Sequence, residues 1–363
     1  MTAQDRGIWL AKGLLDSTNT ATLGLSKAEA VETFTVFTPT DQSDHYANGV
    51  IITDFKGVLY CMWQSSPTDE DSDDTWVAYS QSKDGGATWS SAKPLALPSP
   101  TYYCTSGGWM VNGDTLIAMV DTWEKGLSPR GGKTLYMTST DGQTWSRLRP
   151  VTMADGQEMN GVLEQDPMLL PTGRLVGAVH FQPGLHVCPV YTDDRTGRSG
   201  WRRGSFQATD MGKQSRELEP SQYLQPDGTA VMLFRDQKSS FRKLASFSYD
   251  EGLSWTPPTI TDIPDARTKQ CAGNLPDGTA YMVCCPVKSK QRYPLVLLLS
   301  KDGQHFDQAM LLCSGDELPA KRYEGRYKTI GYSYPKAIVS NSYLYIGYSV
   351  NKETVACSRM KLK

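Results

Sequence analysis

The stretch "SKDGGATW" at 82–89 returns as "STDGQTW" at 139–145, "SYDEGLSW" at 248–255 and "SKDGQHF" at 300–306, with a looser copy, "YTDDRTGRSGW", at 191–201. The closing aromatics, Trp89, Trp145, Trp201, Trp255 and Phe306, lie 56, 56, 54 and 51 residues apart. So even a period demands a fold built from like units. A phosphate-cradling glycine loop would occur once, between a strand and a helix, whereas this turn recurs between strand-like runs. Its parts suit a structural role. The glycines supply positive φ, Asp84 can accept backbone N–H groups, Ser82 can bond to it, and Trp89 can pack between sheets. The same reading covers Asp141, Asp250 and Asp302.

Between these turns lie six hairpin patterns, among them "GVIITDFKGVLYCMW", "GGWMVNGDTLIAMVDTW", "SQYLQPDGTAVMLFR" and "KAIVSNSYLYIGYSV". Each joins two β-rich runs through Lys-Gly, Asn-Gly, Asp-Gly, Thr-Gly or Asn-Ser. Four antiparallel strands per unit, repeated radially, predict an all-β chain folded as a six-bladed β-propeller. The sixth unit runs out of chain at Lys363 before its outer strand. "VETFTVFTP" at 31–39 is expected to supply that strand, closing the ring and removing an exposed edge. Residues 1–30 then form an N-terminal arm and 31–363 one propeller domain. "SKAEAVE" near 26–32 is the best candidate for a short helical turn.

Charge and cysteine usage narrow the partners. The 37 basic and 39 acidic residues leave −2, with no basic block, so no nucleic-acid footprint is expected. No run reaches about 18 apolar residues, and Asp5, Arg6 and Lys12 interrupt the N-terminus, so neither a membrane span nor a signal peptide is expected. That fits a soluble chain, cytoplasmic or exported and already trimmed. The eight cysteines form no C-x-x-C pair and the four histidines no H-E-x-x-H, so no metal and no other cofactor is expected. Buried free thiols are the simplest reading.

The repeated S-x-D-x-G-x-T/S-W resembles the Asp-box (BNR) repeat of the sialidase, or neuraminidase, superfamily, over about residue 40 to the end. That resemblance implies a glycan substrate, a tyrosine nucleophile paired with a glutamate, an aspartate acid/base and three arginines holding a carboxylate. In "RELEPSQYLQPDGTAVMLFRD" it places the glutamate at Glu219 and one arginine at Arg235; in "GYSYPKAIVS" it places the nucleophile at Tyr334, with Tyr332 beside it. "PTDEDSDD" offers Asp69 or Asp71 as the acid/base. The chain departs from the pattern at "DHYANGVII", which has His45 and Asn48 where the family has its first arginine. It departs again at "VCCPVKSKQRY", where Lys288, Lys290 or Arg292 would have to substitute.

Propeller sites gather where inner strands begin and second strands end. That rule selects His45, Asn48 and Gln64; Tyr103 and Trp123; Glu164, His180 and Gln182; Arg216, Glu219 and Arg235; Arg267 and Lys269; and Tyr334 and Lys336. Two chemistries fit these groups. In a hydrolase releasing a terminal acidic sugar, Glu219 takes the proton of Tyr334, Asp69 or His45 protonates the leaving oxygen, and Arg235 holds the anionic substituent. In a uronate lyase, His45, His180 or Tyr334 removes the α-proton while Arg235, Arg216 or Lys269 neutralises the carboxylate. A non-catalytic glycan-binding propeller is the third possibility. A monomer is expected.

Overall fold

In a computed structural model, which describes residues 7–27, 31–207 and 217–362, the strands form six antiparallel sheets arranged as propeller blades. Blade one comprises Tyr46–Phe55, Val58–Ser66, Trp76–Ser82 and Lys93–Ala96; blade two Tyr102–Asn112, Thr115–Glu124, Gly132–Ser139 and Arg149–Pro150. Blade three comprises Gly161–Leu163, Leu175–Phe181, His186–Thr192 and Arg202–Arg203, with Met168–Leu169 as an added short strand. Blade four comprises Glu217–Leu224, Ala230–Asp236, Arg242–Ser248 and Thr259–Pro264; blade five Cys271–Asn274, Ala280–Cys284, Leu295–Ser300 and Gln308–Cys313. Blade six takes Tyr332–Ser340, Tyr343–Val350 and Thr354–Lys361, and its outer strand is Val31–Phe37.

The turn chemistry explains the inner hairpins. Lys56 and Gly57 in blade one, and Asn341 and Ser342 in blade six, all have positive φ, as two-residue turns matching the strand twist require. The second strands do not alternate. Leu175–Phe181 is buried throughout because a neighbouring blade covers each face. The core is therefore a set of inter-blade layers, such as Ile51, Met62 and Tyr79 against Trp109 and Val120.

The recurring turns tie the blades. Ser82 Oγ donates to Asp84 at 2.8 Å, Gly86 N–H to Ser82 Oγ at 2.8 Å, and Trp89 Nε1 to Gly86 O at 2.9 Å. Thr88, through its hydroxyl and then its amide, followed by Ser82, lowers the Asp84 carboxyl to about 2. Asp141, Asp250 and Asp302 repeat this arrangement. Each turn lies at the start of its blade's second strand, as the pairs Leu59 with Ser82 and Ala230 with Ser248 record. The axial groups at the other end of those strands are thus on the opposite face.

Val31–Phe37 pairs antiparallel with Thr354–Lys361, from Val31 opposite Met360 to Phe37 opposite Val355, closing the ring as the sequence predicts. The middle of the candidate helical turn near 26–32, residues 28–30, lies outside the described residues. On its flanks Lys27 bridges Leu311 in parallel and Val31 begins a strand. Trp9–Leu10 pairs in parallel with His305–Phe306, and Ile8 and Leu23 enter the apolar layer between blades four and five. All eight cysteines are free, and all but the half-buried Cys188 are buried.

Candidate active site

A β-bulge re-aims the inner strand near its axial start in several blades. The register slips between Leu218 and Ser221 in blade four, between Ser333 and Lys336 in blade six, and between Asn48 and Ile51 in blade one. In the first two the re-aimed residue is Glu219 or Tyr334, with φ of 54° and 55°. Each is followed by a proline, which denies it the α region. A non-glycine residue at positive φ costs roughly 1–3 kcal/mol, and such strain concentrates at working sites. The bulges turn both side chains toward one cavity of about 380 Å³ on the axis.

Arg235 ends the second strand of blade four and joins the two. Its Nη1 donates to both Glu219 oxygens, at 3.0 and 3.1 Å, and to the Tyr334 hydroxyl at 3.4 Å. Burial would raise the Glu219 carboxyl. The charges of Arg235 and Lys269 outweigh it and leave the group at about 2. Burial first, then the Glu219 charge, pushes the Tyr334 phenol well above its ordinary value. At rest the pair is a carboxylate and a protonated phenol joined through the Arg235 Nη1.

Cations surround this pair. Lys269 Nζ lies 5.4 Å and the Arg292 guanidinium 5.7 Å from the Tyr334 ring centre. Arg292 also donates to Ser333 Oγ at 2.9 Å. Arg267, another non-glycine residue at positive φ, has its pKa lowered by burial and then by the charges of Arg235 and Arg292. The Nε groups of Arg235 and Arg267 are buried without a partner. Three guanidinium groups so close, with donors unspent, suit an anionic ligand.

The other wall belongs to the loop after the second strand of blade one. Asp71, at φ 63°, receives both terminal nitrogens of Arg130 at 2.6 Å. Burial raises the Asp71 carboxyl despite the opposing charge of Arg130. Glu70 pairs with the buried Lys352 at 2.5 Å and accepts from Asn48 at 3.5 Å. Among the described residues no three His, Cys, Asp or Glu side chains cluster as metal ligands, and no helix is long and apolar enough to cross a membrane.

A family model for the BNR repeat-like domain matches residues 57–346. The chain belongs to this BNR family. A search of curated proteins finds no match. Among solved structures, a sialidase matches with TM-score 0.70 and 18% identity over 98% of this chain. This chain spans only 35% of that protein's length. A protein of unknown function from Dyadobacter fermentans DSM 18053 matches over its whole length, with TM-score 0.70, 16% identity and 93% of this chain covered. Trypanosoma rangeli sialidase, solved with 2,3-difluorosialic acid as a covalent intermediate, gives TM-score 0.67 and 15% identity over 92% of this chain and 60% of that one. The fold is the BNR-repeat propeller, and these sialidase structures share it.

Within this BNR propeller the cavity gathers Glu219, Arg235, Tyr334, Lys269, His180 and Gln64 from the sequence-selected set. Gln64 donates to Tyr46 Oη at 2.9 Å, and Lys269 bonds the Glu164 carbonyl and pairs with its carboxylate at 3.6 Å. His180 is 1% exposed, burial lowers its pKa, and its Nε2 accepts the Glu219 N–H at 3.3 Å. Asn48 sits behind the wall, accepting from Ser349 Oγ at 2.9 Å. Besides Asn48, the candidates Tyr103, Arg267, His45, Asp69 and Gln182 lie outside the lining. His45 stacks on Tyr323 with ring centres 3.8 Å apart; Asp69 is capped by the Tyr327 and Glu70 N–H groups; Gln182 donates to Gly132 O at 2.7 Å. Arg216 lies outside the described residues. Lys336 pairs with Asp166 at 2.8 Å and lines a different cavity on the axis. Sequence reasoning missed Glu70, Lys352 and Arg130. The proline after each bulge, in Glu219-Pro220 and Tyr334-Pro335, was a usable signal for the central pair.

Proposed function

We propose that this chain is an exo-acting glycoside hydrolase that releases a terminal acidic sugar from a glycan through a covalent tyrosyl intermediate. The contact among Glu219, Tyr334 and Arg235 is the observation that carries this reading. In the first step Tyr334 Oη forms a bond to the anomeric carbon as the bond to the leaving oxygen breaks. The phenolic proton passes to Glu219, and the leaving oxygen takes a proton from Asp71. In the second step Asp71 removes a proton from water, water displaces Tyr334, and Glu219 returns the proton to the phenolate. Arg235, which lines the cavity, holds the substrate carboxylate, with the charges of Arg267 and Arg292 behind it. Asp71 is preferred to Asp69 because Asp71 lines the cavity and burial raises its carboxyl, as an acid/base requires.

Elimination is the weaker reading. Of its two histidine bases, His45 stacks outside the lining and the His180 Nε2 is engaged by the Glu219 amide. The test is incubation with sialyl, rhamnosyl-glucuronide and other uronic glycans, recording free sugar and absorbance near ~235 nm, where an unsaturated uronate would show. A fluorinated acidic glycosyl donor, followed by peptide mass spectrometry, should leave its adduct on Tyr334. No release from any acidic glycoside, or an adduct on another residue, would overturn the reading.

A further inference from the structure

Arg130 enters the cavity wall from the loop between Thr115–Glu124 and Gly132–Ser139, and neither the repeat nor the family pattern singles it out. Three contacts fix its guanidinium. It lies 3.9 Å from the Trp123 ring centre, 5.8 Å from that of Tyr103, and makes two bonds of 2.6 Å to Asp71. The two rings are themselves stacked, 6.4 Å apart at an interplanar angle of 12°, and Trp123 Nε1 donates to Thr105 Oγ1 at 2.8 Å. The platform is rigid and belongs to blade two, whereas Asp71 stands on a blade-one loop in left-handed backbone.

We infer that Arg130 is the positioning residue of the acid/base step, holding the Asp71 carboxyl at the cavity from its platform on Trp123. The inference rests on the assignment of Asp71 to that step. A two-pronged guanidinium fixes both the place and the plane of a carboxylate, which a lysine cannot do. It also sets acid strength. Burial raises the carboxyl of Asp71 and the Arg130 charge pulls it back, so the loss of Arg130 leaves burial less opposed and makes Asp71 a weaker acid. The other charged or titratable groups around the pair are Glu70 and Asp73 of the same loop, Tyr103 of blade two, Glu164 of blade three and Lys352 of blade six. Glu70 also raises Asp71 and Lys352 lowers it, but both act less strongly than Arg130.

The test compares the parent with Arg130→Gln, Arg130→Lys and Asp71→Asn, each checked for a parent-like unfolding transition. Carboxyl ¹³C NMR titrates Asp71, assigned by its loss in Asp71→Asn. The pH profile of kcat/KM is taken with a natural glycan and with an aryl glycoside whose leaving group needs no proton. In Arg130→Gln the Asp71 midpoint should rise by about one pH unit, and the alkaline limb on the glycan should rise with it. Arg130→Lys should keep the midpoint while kcat/KM on the glycan falls about tenfold. An unmoved midpoint in folded Arg130→Gln overturns the role of Arg130. If Asp71→Asn loses activity equally on both substrates, the acid assignment itself falls and this inference with it.

Discussion

Replacing Glu219 with glutamine keeps the shape of the side chain and removes its charge, the change to which the proposed chemistry is most sensitive. The parent carboxylate accepts two bonds from Arg235, which also donates to the Tyr334 hydroxyl, and is 6% exposed. The amide can still meet these partners but cannot take the phenolic proton. Loss of general-base assistance lowers kcat by about 10²–10⁴-fold, or roughly 3–5 kcal/mol in the barrier. KM should move far less, because Arg235, Arg267 and Arg292 remain. The same variant has a stability signature. The folded carboxyl is at about 2, below its ordinary 4.5. Its contribution is therefore complete above pH 4.5 and lost as pH falls from 4.5 toward 2. Glu219→Gln should be less stable than the parent by about 3 kcal/mol at pH 7, with the gap closing near pH 2. The assays are kcat and KM on an acidic glycoside the parent cleaves, and urea unfolding at both pH values. Activity within threefold of the parent would refute the base assignment.

Other perturbations separate scaffold from site. Lys243, 0% exposed, donates to Asp265, Thr268 O and Gln270 at 2.7–2.8 Å. Lys243→Met strands the Asp265 charge and should cost about 3–5 kcal/mol in urea unfolding. It should also weaken substrate binding, because the anchored segment carries Arg267 and Lys269. Asp250→Ala removes the tie to Ser248 and Ser254 in blade four; Tm should fall while kcat/KM on an acidic glycoside stays unchanged, since the turn lies on the face opposite the cavity. Deletion of Val31–Phe37 exposes the edge of Thr354–Lys361 and should abolish a single cooperative thermal transition in calorimetry.

The propeller was legible because its information is repetitive. Trp89, Trp145, Trp201, Trp255 and Phe306 mark time along the chain, and the unit lacking an outer strand pointed to Val31–Phe37 as the donor. The centre of the candidate site was selected for a different reason, since the family resemblance and the strand-end rule both pick Glu219, Arg235 and Tyr334. The rest depends on loop geometry, which periodicity does not encode. Asp69 and Asp71 are two residues apart, yet a left-handed residue at 71 sends one carboxylate to the cavity and leaves the other capping Tyr327. Lys352 reaches the wall through consecutive left-handed residues, Asn351 and Lys352, in the turn after Tyr343–Val350. His45 and Gln182 flank correct strands but point to local partners, because one residue of offset at a strand end reverses the direction of a side chain.

The outer strand of blade six also sets a timetable for synthesis. Val31 meets Met360, so the ring cannot close until almost the whole chain exists. At ordinary elongation rates, roughly 15–65 s separate the emergence of the two partners. Throughout that interval the first true strand of the propeller has no companion, the condition in which strands find wrong neighbours. Glu32, Thr33 and Thr35 are exposed in the finished blade, and these polar side chains make the waiting strand a poor template for other nascent chains.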